Sequence, residues 1–247
     1  TTKQQEEQMA NREKNVFLAK VADQAERYDE MVVLMKEISE LKVTFTYEER
    51  DLLSVAYKNA IGSRRAAWRV ISSLLTKEDN EERQKHLDEY RSRVEKEVVE
   101  LCEDALNVLD KVIATAQTDE FRVYFHKMKG DYNRYIAEVA SGDTKKKATD
   151  NGLVAYQTAT DLAAQNKEFS PVNPIVLGQA LNFSVFYYEI LKKPEEAIKL
   201  AKKAFDDAIM QLDTMNEEEE VYKDATQIMS LLRDNLNIWE NESGGEN

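Results

Sequence analysis

The sequence predicts an all-α fold, and three observations carry that reading. Apolar residues recur with a period near 3.6 along most of the chain. Only 7 Gly and 3 Pro occur in 247 residues, too few for the many tight turns of a sandwich or barrel. Helix-start chemistry, such as Thr46 with Glu49 and Pro194, stands where the periodic stretches begin. Hydrophobic residues make up 42% and charged residues 33%, a balance in which burial offsets chain entropy and the chain folds.

Taken in order, the periodic segments predict nine helices. Two short ones cover roughly 11–25 and 28–41. The third, about 46–77, opens on a capping box in which Thr46 and Glu49 satisfy each other's backbone N–H groups. The fourth, fifth and sixth cover about 81–116, 119–140 and 144–168. Residues 169–188 carry no charge, which raises the question of a membrane span, but Pro174 would break a helix running through the whole stretch. The seventh helix, 174–191, is therefore read as buried in the protein interior. Pro194 opens the eighth, 194–212, at a first turn where its missing N–H costs nothing. Asn216 caps the ninth, 217–240, and Glu217 to Glu220 place negative charge at its positive dipole end, so that acidic run is a helix start. The expected organisation is a single helical domain, 1–240, with a flexible tail, 241–247. The segment PEEAIKLAKKAFDDAI looks like half of a tetratricopeptide unit, but no second copy lies about 34 residues away, which leaves a solenoid as the runner-up architecture.

The charge balance excludes several partners. With 47 acidic against 34 basic residues the net charge is −13, which repels nucleic acid and anionic membrane surfaces at long range, so neither is expected to bind. The single cysteine, Cys102, cannot form an intrachain disulfide; a reducing compartment and a structural thiol are expected. The polar N-terminal stretch TTKQQEEQMANREK does not read as a signal peptide, so the expected location is cytoplasmic, with the nucleus as an alternative. The sequons at Asn182 and Asn241 are then chance matches.

Enzymatic chemistry finds no support. There is no GxGxxG, P-loop or GxSxG, and His86 and His126 sit in neither HExxH nor ExxH spacing. No catalytic residue, metal site or cofactor is expected.

The informative feature is a charge anomaly. From Leu52 to Lys77 there is no acid, yet Lys58, Arg64, Arg65, Arg69 and Lys77 are present. On a helix, Lys58, Arg65 and Arg69 project within roughly 20° of one direction. A second window, Arg122 to Ala137, holds Arg122, Lys127, Lys129 and Arg134 against the single acid Asp131. These bases either pair with acids on neighbouring helices or converge on an anion, for which arginine offers a planar fork matching phosphate oxygens. Two later faces each set one Asn in apolar surroundings: Asn182 with Val185 and Glu189, and Asn235 with Ile228, Leu231 and Ile238. An amide placed so is either a satisfied buried group or a holder of peptide backbone, since it offers donors and an acceptor.

At this point the chain resembles the 14-3-3 family, from about Val16 to Trp239. The resemblance rests on AERYDEM (25–31), EERDLLSVAYKNAIGSRRAAWRV (48–70), KMKGDYNRYIAEVASGD (127–143), LNFSVFYYEIL (181–191) and LLRDNLNIW (231–239), in that order. It implies nine antiparallel helices forming a concave, groove-bearing protomer, dimeric through its N-terminal helices. It implies a groove for phosphoserine or phosphothreonine peptides of client proteins. By motif, Lys58, Arg65, Arg134 and Tyr135 would hold the phosphate, and Asn182 and Asn235 the peptide backbone. Leu181, Val185, Leu231 and Trp239 would line the apolar wall, with Lys127, Asp131 and Glu189 in support and Arg64 and Lys129 as bystanders. Arg27 would pair with Glu97, and Glu30 with Arg93, across a homodimer or a heterodimer with isoforms. The chain departs from the family pattern at Ala67, where several members carry a phosphorylatable serine, and in its short tail. Residues 1–15 extend past the matched region as a candidate disordered extension.

Overall fold

The computed structural model describes residues 2–244, in two compact units. The first comprises the chain up to residue 117 together with 135–145, the second 118–134 and 146 onward. Among the described residues there are nine helices and no strand, as the sequence predicts. They are α1 (Lys3–Gln24), α2 (Tyr28–Glu40), α3 (Tyr47–Lys77), α4 (Glu81–Thr115), α5 (Asp119–Val139), α6 (Gly142–Gln165), α7 (Pro174–Glu189), α8 (Pro194–Leu212) and α9 (Glu220–Gly244).

In the first unit α1 packs on α2 and α3, α2 on α3 and α4, and α3 on α4. Met31, Met35, Ile38, Leu53, Ile61 and Val98 are fully buried in its core. Each such side chain contributes about 1.5–3 kcal/mol by leaving water. The predicted capping box is present: the Glu49 N–H donates to Thr46 Oγ1 at 3.1 Å and the Thr46 N–H to Glu49 Oε1 at 2.9 Å. Glu49 has a second task. It is only 2% exposed, and Arg12 of α1 grips it through Nε at 2.7 Å and Nη2 at 2.5 Å.

Helix α1 starts at Lys3, not near residue 11, so most of the expected disordered extension is helical. Thr2 and Gln5 form a capping box there, at 2.8 and 3.3 Å. The period failed to show this because Met9 and Ala10 are the only apolar residues between positions 3 and 14.

In the second unit α7 packs on α8 and α9, and α8 on α9. Leu177, Ala197, Ala201, Ala208, Ala225 and Leu232 belong to its main core. Beside it, Tyr156 of α6 stacks on Phe183 of α7 with ring centroids 5.3 Å apart. Helix α7 begins at Pro174 as predicted, capped by Asn173, whose Oδ1 accepts from the Ile175 N–H at 2.9 Å. Helix α9 begins at Glu220, later than predicted, because Asn216 instead caps a turn, accepting from the Glu218 N–H at 3.1 Å. It continues to Gly244, so the expected tail is helical over 241–244; its last residues, 245–247, lie outside the described residues. Among the described residues no helix is long and apolar enough to cross a membrane.

Candidate functional site

In the second unit, α5 sets Lys127, Asp131 and Arg134 on one face by their spacing of four and three. Asp131 is 7% exposed and accepts three hydrogen bonds. Lys127 Nζ donates to its Oδ2 at 3.0 Å; the Tyr156 hydroxyl and Asn182 Nδ2 donate to its Oδ1 at 2.6 and 2.9 Å. Arg134 Nε in turn donates to the Tyr156 oxygen at 3.2 Å, while its Nη2 stays 3.9 Å from the Asp131 carboxylate. The carboxylate is an acceptor only, so it fixes the Asn182 amide with nitrogen inward and Oδ1 turned away. Close approach of the Tyr156 ring to α5 requires Gly130, where a Cβ would lie 2.6 Å from the ring carbons.

Electrostatics follow from this burial. Burial alone would raise the Asp131 carboxyl, but the charges of Lys127 and Arg134 and the Tyr156 hydroxyl hold it below the ordinary aspartate value. The Tyr156 phenol is pushed well up by its own burial and by the Asp131 charge.

In the first unit, the Arg65 guanidinium lies over the Tyr135 ring, 3.8 Å from its centroid. Glu138 fixes it there, accepting from Arg65 Nη2 at 2.8 Å and from Arg69 Nε and Nη2 at 3.0 Å each. Burial raises the Glu138 carboxyl, yet the hydrogen bonds and charges of Arg65 and then Arg69 outweigh it and lower it. Lys58 is exposed on α3 and makes no ion pair among the described residues. Arg65 Nε is buried without a hydrogen-bond partner.

The depressed carboxylates set an expected pH dependence. Asp131, Glu138 and Glu49 all have folded-state values below their ordinary ones. Their contribution to stability is therefore complete above the unfolded values of about 3.9–4.3 and is lost as pH falls through the lower folded values. The urea midpoint is expected to change little from pH 7 to 5 and to drop steeply below about pH 4. A midpoint held constant down to pH 3 would contradict these assignments.

The other predicted residues fall as follows. Arg64 forms a two-pronged pair with Asp29 at 2.9 and 3.0 Å, so for this bystander the simple pairing reading holds. On α9, Leu231 (50% exposed) and Ile238 (53% exposed) flank the half-buried Asn235. Trp239, expected on the groove wall, instead packs in the core at 5% exposure, stacked on Tyr188 at 4.7 Å. Its position on α9 is one residue beyond the face that carries Ile238, and that step of 100° turns it inward. Leu181 and Val185 are half-buried against the same core. Glu189, expected to pair with a base, is exposed and makes no ion pair among the described residues. Of the expected dimer contacts, Arg27 pairs within the chain with Glu30 at 2.7 and 2.5 Å, Arg93 lies over Tyr90 at 5.0 Å, and Glu97 is exposed. An apolar cavity of about 520 Å³ formed by α6, α7 and α8 includes none of the predicted residues. Sequence reasoning missed Glu138 and Tyr156. Glu138 lay in a quoted motif as the acid next to a basic window, whereas Tyr156 has no local signal.

These features define an all-helical protein whose functional candidates are guanidinium, carboxylate and tyrosine groups held in buried networks. The chain matches the 14-3-3 protein family over residues 18–240. It is 54% identical over 242 residues to 14-3-3 protein epsilon of Drosophila melanogaster, covering 96% of this chain and 91% of that one. It is 54% identical over 242 residues to 14-3-3-like protein GF14 epsilon of Arabidopsis thaliana, covering 95% and 94%. Protein BMH2 of Saccharomyces cerevisiae is 53% identical over 243 residues, covering 95% and 88%. The chain belongs to the 14-3-3 family, whose members are adaptor proteins and not enzymes. Membership supports, in general terms, a phosphopeptide-binding adaptor role, client binding and dimer formation, and it displaces the tetratricopeptide-type scaffold.

Proposed function

We propose that this protein docks phosphoserine or phosphothreonine peptides of client proteins and so regulates their activity, location or interactions in the cytoplasm or nucleus. Lys58, Arg65, Arg134 and Tyr135 hold the phosphate; Asn182 and Asn235 hold the peptide backbone; Leu181, Val185 and Leu231 supply the apolar wall, with Trp239 behind it. The observation that supports this most is the stack of Arg65 on Tyr135 with Glu138 fixing the guanidinium, because two of the four phosphate-holding side chains are thereby pre-oriented. A phosphoresidue brings about −1.5 to −2 charge and three acceptor oxygens. Hydrogen bonds to charged groups are worth roughly 1.5–3 kcal/mol each, so three or four of them make the phosphate the switch. The protein acts as a homodimer, or pairs with isoforms, through its N-terminal helices, where Arg27, Glu30, Arg93 and Glu97 meet the other subunit. Met9 (59% exposed), Phe17 (64% exposed) and Val21 (46% exposed) give α1 an apolar face suited to that contact.

The test is a titration of a phosphoserine peptide and its unmodified twin against wild type and Lys58→Glu. The twin is expected to bind ~10²–10⁴-fold more weakly than the phosphopeptide. Lys58→Glu is expected to abolish most of that difference by placing a like charge against the phosphate. Equal affinities for the two peptides, or an unaffected variant, would sink the reading.

A further inference from the structure

We propose that Tyr156 is a positioning residue for phosphate recognition: its hydroxyl is a wedge that keeps Arg134 from collapsing onto Asp131. This inference rests on the phosphopeptide reading above and names a residue of α6 that no motif marks.

The geometry carries it. Arg134 and Asp131 are three residues apart on α5, a spacing at which arginine and aspartate ordinarily close into a direct pair. Charge-assisted N–H···O bonds of that kind are about 2.7–2.9 Å long. Here Arg134 Nη2 stands 3.9 Å from Asp131 Oδ1. The Tyr156 oxygen occupies the space between, accepting from Arg134 Nε at 3.2 Å and donating to Asp131 Oδ1 at 2.6 Å. All three residues are buried, at 8%, 7% and 0% exposure, so water cannot substitute for the phenol.

The wedge has two effects. It relays a hydrogen bond to the carboxylate while keeping the guanidinium out of a direct hydrogen bond with it, so the Arg134 N–H groups do not close onto Asp131. It also completes the donor set on Asp131, together with Lys127 and Asn182, which lowers that carboxylate's pull on Arg134. Without the hydroxyl, Asp131 loses a donor, gains appetite for the guanidinium, and draws it away from an incoming phosphate. The ring itself is locked in place by its stack on Phe183 and by the absence of a side chain at Gly130, so the oxygen has one position.

Tyr156→Phe is the direct test, because it removes the oxygen and keeps the stacked ring. The variant is expected to bind the phosphoserine peptide about 5- to 20-fold more weakly, the loss of one oriented charge-assisted contact, with the unmodified twin unchanged. A purely structural defect would weaken both peptides alike. Adding Asp131→Asn to Tyr156→Phe is expected to restore part of the phosphopeptide affinity, since a neutral amide no longer captures Arg134. A wild type that fails to prefer the phosphopeptide overturns the functional reading and this inference with it. A wild type that prefers it, with a variant that prefers it equally, overturns the inference alone. Loss of affinity without recovery in the double variant also overturns it. In the wild type, the Arg134 Nε–Hε NMR signal must move with the phosphopeptide and stay in place with the twin; no movement counts against the wedge even if a variant fails to fold.

Discussion

Replacing Asp131 by Ala is expected to cost about 3–5 kcal/mol of stability, the usual penalty for leaving buried charge without its partner. The carboxylate is 7% exposed, pairs with Lys127 at 3.0 Å, and takes hydrogen bonds from Tyr156 and Asn182. Its removal takes the nearby counter-charge away from the Lys127 ammonium and the buried Arg134 guanidinium in a site where solvent screens them poorly. For a chain of this size the thermal midpoint falls by roughly 2–4 °C per kcal/mol, so calorimetry should record a drop of roughly 6–20 °C. Asp131→Asn should cost less, because the amide oxygen still accepts from Tyr156 and Asn182, although the counter-charge and the acceptor for Lys127 Nζ are lost. If Ala and Asn behave alike with losses under about 1 kcal/mol, the network is better hydrated than its burial indicates.

Arg12→Ala carries the second large effect, again about 3–5 kcal/mol near neutral pH. Its partner Glu49 is 2% exposed and serves both the α3 capping box and the link to α1. Arg12 also donates from Nη2 to the Thr44 carbonyl at 2.9 Å, so one side chain ties α1 to the chain entering α3. The Glu49 carboxyl would be raised by burial; the Arg12 hydrogen bond and then the Thr46 backbone bring it below its ordinary value. Below the folded-state value Glu49 is protonated in both proteins, so the difference between wild type and variant shrinks in acid. Lys20→Ala provides the contrast: its pair with Glu48 has both side chains about half exposed, 47% and 53%, and should be worth less than ~1 kcal/mol. Urea titrations of the two variants at pH 7 separate these cases, and equal costs would refute the argument from burial.

How far the chain could be read depends on where each signal resides. Helix starts at Thr46, Pro174 and Pro194 were legible because capping and proline chemistry act within one turn of backbone. The start of α1 was not, because a run with Met9 as its only large apolar residue shows no period although its cap is intact. The α9 start was displaced because Asn216 serves a turn as readily as a helix. Trp239 illustrates a different limit: its helix was correctly expected, but one step along it separates an exposed position from a core one.

The sequence by itself determined the all-α class, the order of nine helices, the absence of enzymatic motifs and the two basic windows with their motif residues. All of these are properties of near neighbours in the chain, or of segments long enough to be matched whole. Tertiary structure alone decided which acid meets which base. It paired Arg65 and Arg69 with Glu138, Arg64 with Asp29, and Arg12 with Glu49. It also brought Tyr156 of α6 between Arg134 and Asp131 of α5. The physical reason is that a charge in a folded protein is governed by burial and by partners a few ångströms away, and those partners lie tens of residues distant in the chain.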